Sequence, residues 1–189
     1  MVSLAELWMP ILISAVGVFI ASSIFHICIP IHKSDYTRSP GEDKLCELLR
    51  GENIQPGNYM FPHCDDMKEL QSEEMMGKFT QGPVGFMTIL PSGPPAMGRN
   101  LLLWFLQSVL ISVLVAYIAG IGLGPGTEYM TVFRLTGTAA IMAYSMGALT
   151  DYIWKGQQPA VMFKFIFDAV VYGLLTAGVF GWMWPAGAS

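Results

Sequence analysis

Ionisable side chains inside long apolar runs are where this sequence offers chemistry. Asp168 and Lys164 lie in the run from Pro159 to Pro185, His26 lies near the end of a run that starts at Leu7, and Arg134 lies just inside a third run. Such a group costs roughly 2.5–3.5 kcal/mol at a bilayer centre, so it is kept only where it has a partner or a task. At helical rise Asp168 stands about 12 Å, and His26 about 7 Å, from the same edge of their runs. The two are therefore placed to meet. One reading makes them a proton-relay or ligand pair. The other has Asp168 bond Lys164, one turn earlier, or a neighbouring hydroxyl, and so fix helix packing. Lys164 is near enough to the edge to snorkel. Arg134 either does the same on the opposite side or meets a partner subunit or a lipid phosphate.

A second set of reactive types is His63-Cys64-Asp65-Asp66, with His32 and Cys46 elsewhere in the same polar stretch. Structural zinc sites show paired ligands at short spacing, and none is present, so no metal site is expected. The three cysteines, Cys28, Cys46 and Cys64, form no CxxC pair and no disulfide framework. P-loop, GxGxxG, GxSxG and HExxH patterns are absent. No catalytic residue and no cofactor is assigned. The 13 methionines show no MxxM ladder and suit packing between helices.

The elements that must position these residues are membrane spans. The chain has 189 residues, of which 53% are hydrophobic and only 13% charged, against roughly 25% charged in soluble domains. Most charges fall between Lys33 and Arg99. The expected fold is an all-α membrane protein of four transmembrane helices, with a small α+β insertion between the first two. Residues 7–30 form the first span, 31–98 the insertion and 99–185 the remaining three spans. Small residues recur at four-residue spacing on each span, the arrangement that lets helix backbones approach closely. They are Gly17 and Ala21; Ala116 and Gly120; Ala143 and Gly147; and Ala169, Gly173, Ala177 and Gly181. A polar row, Lys164, Asp168, Tyr172 and Thr176, runs beside the last ladder.

Within the insertion, Ser39-Pro40-Gly41-Glu42 matches a capping box before a helix that stops at Gly51. Pro56-Gly57 marks a turn, 59–61 a short strand, Ser72 the cap of a helix ending near Gly82, and 84–90 a second strand. A two-stranded ribbon with two short helices is marginal alone, so it is expected to rest on the membrane-embedded part. Lys33, Arg38, Lys44, Arg50, Arg99 and Lys155 fall on one side of the spans, which predicts cytoplasmic loops and periplasmic termini. The first apolar run lacks a positive leader region and is expected to stay in the protein. A net charge of −4 without a basic patch argues against nucleic acid as a partner.

HKSDY after the first span, PGNYMFPHCDDMKE, KFTQGPVGFMTILPSGPPAMG and the FDAVVYGLLTAGVFGWMWP ending resemble a family of small bacterial integral membrane proteins. The resemblance covers the whole chain and implies the bacterial cytoplasmic membrane. It brings no catalytic residues with it. Three functions are open. The first is a non-catalytic accessory subunit docking by small-residue faces on a larger membrane complex, of energy-transducing kind (photosynthetic or respiratory). The second is a small transporter or proton-relay protein using Asp168 and His26, with Gln107 among the few polar residues able to line a path. The third is a membrane-face enzyme using His63, Asp65 and Asp66.

Overall fold

The computed structural model describes residues 1–187. The chain divides into a helical unit, Met1–Asp35 with the chain from Ala96 onward, and a second unit, Tyr36–Pro95.

In the helical unit, α1 (Trp8–Ser23) carries Pro10 in its first turn, where a missing N–H has no partner to lose. It is continued by one turn of π-helix, Ile24–Cys28. The Ser22 and Ser23 hydroxyls both donate to the Phe19 carbonyl, at 3.0 and 2.8 Å, and such back-bonding competes with the regular ladder. Here it comes immediately before the ladder widens. After Ile29 the chain makes a 3-10 turn, Pro30–Ser34. The helices α5 (Met97–Gly122), α6 (Tyr129–Lys155) and α7 (Pro159–Trp182) follow the second unit in sequence.

The most extensive helix contact is α6 with α7, and α1 packs on both α5 and α7. On α7, a Cβ at Gly173 would run into the Ile141 side chain and come within 3.0 Å of the Ile141 backbone and 3.2 Å of the Gly137 carbonyl. Only a residue without a side chain lets α6 lie there. Gly120 on α5 plays the same part for the N-terminal segment, whose Val2 N–H donates to the Gly120 carbonyl at 3.0 Å. Ala116, Ala169 and Ala177 are buried, and Gly181 lies against the Tyr129 ring. Gly17 and Gly147 face open space, and Ala143 is exposed. The small-residue faces are thus largely consumed inside the chain, with the first and third helices the exceptions.

Three helical stretches, Trp8–Cys28, Met97–Gly122 and Pro159–Trp182, are long and apolar enough to cross a membrane. Their outward faces carry large apolar residues such as Val16, Ile20, Leu102, Leu106, Leu110, Leu114, Phe163 and Phe167. A water-facing monomer rarely shows patches of that extent, whereas hydrocarbon covers them at no cost. The stretch expected as the third of four spans, α6, has 27 residues but falls short of the other three in apolarity. Arg134, four Thr residues, Ser145, and Asp151 and Lys155 in its last turns dilute it.

The second unit contains α2 (Glu42–Gly51), β1 (Gly57–Phe61), α3 (Met67–Leu70), α4 (Glu73–Gln81) and β2 (Gly85–Ile89). The strands pair antiparallel, with Tyr59 opposite Met87. Ser72 caps α4 by accepting the Met75 N–H at 3.2 Å, as the sequence predicts. The expected Ser39 cap is corrected: the residue before α2 is Gly41, at φ 77°, and no side chain caps it. The Ser39 hydroxyl turns instead to the Pro40 carbonyl. A further correction concerns the first boundary. Residues 31–35, expected in the insertion, fall in the helical unit, where the His32, Ser34 and Asp35 side chains bond to Asp168 and Lys164 of α7.

Candidate functional site

Those side chains build the one buried charged cluster among the described residues. The π turn at the end of α1 carries His26, and the 3-10 turn after it brings His32 back so that the two rings stack at 4.1 Å between centroids. Both face Asp168 on α7. His32 Nε2 lies 2.9 Å and His26 Nε2 3.6 Å from the same oxygen, Asp168 Oδ2. The other His32 nitrogen, Nδ1, lies 2.6 Å from Asp35 Oδ2. Lys164, one turn before Asp168, donates to Asp35 Oδ1 at 2.6 Å and to Ser34 Oγ at 2.8 Å. The side chains of Asp168, Asp35 and His32 are 2%, 4% and 8% exposed, and that of His26 41%. The set is dry on one side and open to the outside through His26.

Its internal logic follows from the donors available. An imidazole has two ring nitrogens, and each here faces a carboxylate oxygen. Both hydrogen bonds form together only when the ring holds two protons or one of the carboxylic acids holds one. Two carboxylates against one ammonium leave one net negative charge, which a second proton on His32 or another cation neutralises. Burial presses the Asp35 carboxyl upward, but hydrogen bonds and charge from Lys164 and His32 together outweigh it, so its pKa ends below the ordinary carboxylate value. Asp168 Oδ1 is buried with no hydrogen-bond partner. An unsatisfied buried carboxylate oxygen is costly, and it belongs to the carboxylate whose other oxygen meets both histidines.

Inward from Asp168 the α7 residues at four-residue spacing, Tyr172 and Thr176, are buried. The Tyr172 ring meets Tyr144 of α6 edge-on at 5.5 Å and Trp104 of α5 at 6.1 Å, and the Trp104 N–H donates to Ser22 Oγ at 2.8 Å. Ser14, Ser108, Ser112 and Ser145 are buried too, and the Ser14, Ser112, Ser145, Tyr144 and Tyr172 hydroxyls have no partner. The interior beyond the cluster is thus studded with hydroxyl groups.

His26 and Asp168, the expected pair, come together. The expected packing bond between Asp168 and Lys164 does not form, because Lys164 reaches across to Asp35. Arg134 and Gln107 lie on exposed sides of α6 and α5. The other reactive set does not converge. Asp66 accepts the Lys68 and Glu69 N–H groups, both at 2.8 Å, as the cap of α3. His63 and Asp65 are exposed and 3.7 Å apart. The Cys64 thiol is pushed above its usual value, first by burial and then by Glu69 and Asp65, opposite to what a nucleophilic cysteine needs.

Sequence reasoning missed Asp35, and it grouped His32 with His63 and the cysteines rather than with Asp168. A usable signal was there: His32 and Asp35 lie three apart just past the first run, and Lys164 and Asp168 lie four apart on the last. Two complementary pairs at one-turn spacing can meet face to face. No protein-family model, curated protein or solved structure matches the chain.

Proposed function

We propose that this chain is a small cation-handling protein of the bacterial cytoplasmic membrane, with the site formed by His26, His32 and Asp168. The observation that carries this reading is His32 held between two buried carboxylates, Asp35 and Asp168, with a stacked and half-exposed histidine at its side. Charged residues in spans are rare, and where they occur they mark ion or proton pathways. The buried hydroxyls that continue inward from Asp168 supply the polar lining such a pathway needs. In this reading α6 also crosses, as the third of four spans: it joins the end of α5 to the start of α7 and lies along α7 in backbone contact. The distribution of Lys and Arg supports cytoplasmic polar loops and periplasmic termini.

The test is flux into sealed proteoliposomes, followed with entrapped pH- and zinc-sensitive dyes. The wild type should carry a cation current that Asp168→Asn reduces at least tenfold while leaving the amount and fold of reconstituted protein unchanged. Equal flux from both would refute the reading.

The accessory-subunit reading keeps one observation in its favour. An apolar groove lined by Leu114, Ile118, Leu135, Ala139, Met142 and Ala143 opens outward between α5 and α6. A second membrane subunit seated there would co-purify in stoichiometric amount in mild detergent. A monodisperse monomer would count against it.

A further inference from the structure

We propose that the cation held by His26, His32 and Asp168 is a divalent first-row transition metal of the zinc type. The inference deepens the cation-handling reading and rests on it for its role in the cell. Three residues from three elements each offer one ligand atom, and these atoms all lie within 4.8 Å of one another. Ligand atoms about 2.0–2.1 Å from a tetrahedral ion stand about 3.4 Å apart. The two separations on Asp168 Oδ2, 2.9 Å to His32 and 3.6 Å to His26, bracket that value. Two imidazoles and one carboxylate suit zinc and its neighbours, whereas magnesium and calcium take oxygen.

Two further features point to a ligand rather than to a packing contact. His32 is held from behind by Asp35, which is itself held by Lys164 and lies on the nitrogen facing away from Asp168. That carboxylate–histidine pairing is the arrangement that orients metal-bound imidazoles and raises their basicity. The buried Asp168 Oδ1 has no hydrogen-bond partner, so the charge of this carboxylate is left to be met at Oδ2, the oxygen facing both imidazoles. One adjustment is required. Rings stacked at 25° cannot both aim an in-plane lone pair at one point, so His26 turns out of the stack. Its exposure leaves room for that.

Binding replaces a proton with a metal. Any proton on His32 Nε2 leaves for solvent as the lone pair takes the ion, and the other proton stays on Nδ1, donated to the Asp35 carboxylate. With three protein ligands, the fourth position falls to water, as in sites that exchange or react rather than sites that only brace a fold.

The experiment is zinc titration of the full-length chain in detergent micelles, with metal content measured after dialysis and the ligand set read by X-ray absorption. One zinc per chain is expected, with two imidazoles and oxygen in the first shell. His26→Ala, at a half-exposed position that the fold tolerates, should weaken binding at least tenfold, and Asp35→Asn about 10–100-fold. His63→Ala should leave it unchanged. No stoichiometric zinc, or zinc lost with His63 and kept without His26, overturns the proposal. Asp168-dependent proton flux in vesicles with no zinc bound overturns the metal site alone. Zinc bound at the three residues with no Asp168-dependent flux supports the metal site and counts against the cation-handling role.

Discussion

Removing the Lys164 ammonium leaves Asp35, a carboxylate 4% exposed, facing His32 alone. Breaking a buried pair from one side costs about 3–5 kcal/mol, and the partial exposure of Lys164 lowers the figure here to about 2 kcal/mol. Lys164→Met should lose that much in reversible SDS unfolding from mixed micelles, and Lys164→Met with Asp35→Asn should lose less than the two singles added. Strict additivity would mean the two do not act as a unit. In the second unit, Ser72→Ala removes a real cap and should cost about 1 kcal/mol, read as faster hydrogen exchange at the Met75 amide. Ser39→Ala should stay within about 0.5 kcal/mol, because Ser39 caps nothing. The two serines show what a sequence can and cannot disclose at this scale. Ser39, with Glu42 three residues on, has the fuller capping pattern, and Ser72, with Met75 there, the weaker; yet Gly41 takes the left-handed conformation that ends the approach to α2, and nothing in a capping pattern registers a backbone dihedral.

Between elements, the α6–α7 contact depends on absent side chains at Gly137 and Gly173. Gly173→Val should push the helices apart and cost about 1–3 kcal/mol, measured by the same unfolding titration. Gly147→Ala meets open space and should be neutral or slightly stabilising, since alanine favours helix over glycine by up to about 1 kcal/mol. If Gly147→Ala instead releases a co-purifying protein, the outer face of α6 is a docking face. The α7 ladder was legible because four small residues at one spacing have no other use in a membrane helix. The site was half legible. Asp168 and His26 stand out against their apolar surroundings, but Asp35 sits in a polar stretch where charge draws no notice, and His32 there has no spacing that ties it to Asp168. Their recruitment depends on a π turn and a 3-10 turn, which hydrophobic periodicity does not report.

For the whole molecule, three apolar helices fit a membrane protein, and sidedness rests on where basic residues fall. In a variant whose only cysteine is Cys46, an impermeant thiol reagent should label inside-out vesicles and not intact spheroplasts. A cysteine at position 128, between α5 and α6, should do the opposite. Labelling of both from one side would remove α5 from the count of spans. The central claim is that His26, His32 and Asp168 form one ligand set at the end of the helices. The most direct test is nitrogen NMR of the full-length chain in bilayers, labelled at histidine side chains, before and after zinc. Nε2 of His26 and His32 should move to metal-bound values while Nδ1 of His32 stays protonated against Asp35 and His63 does not change. A spectrum in which His63 alone responds, or none of the three does, would contradict it.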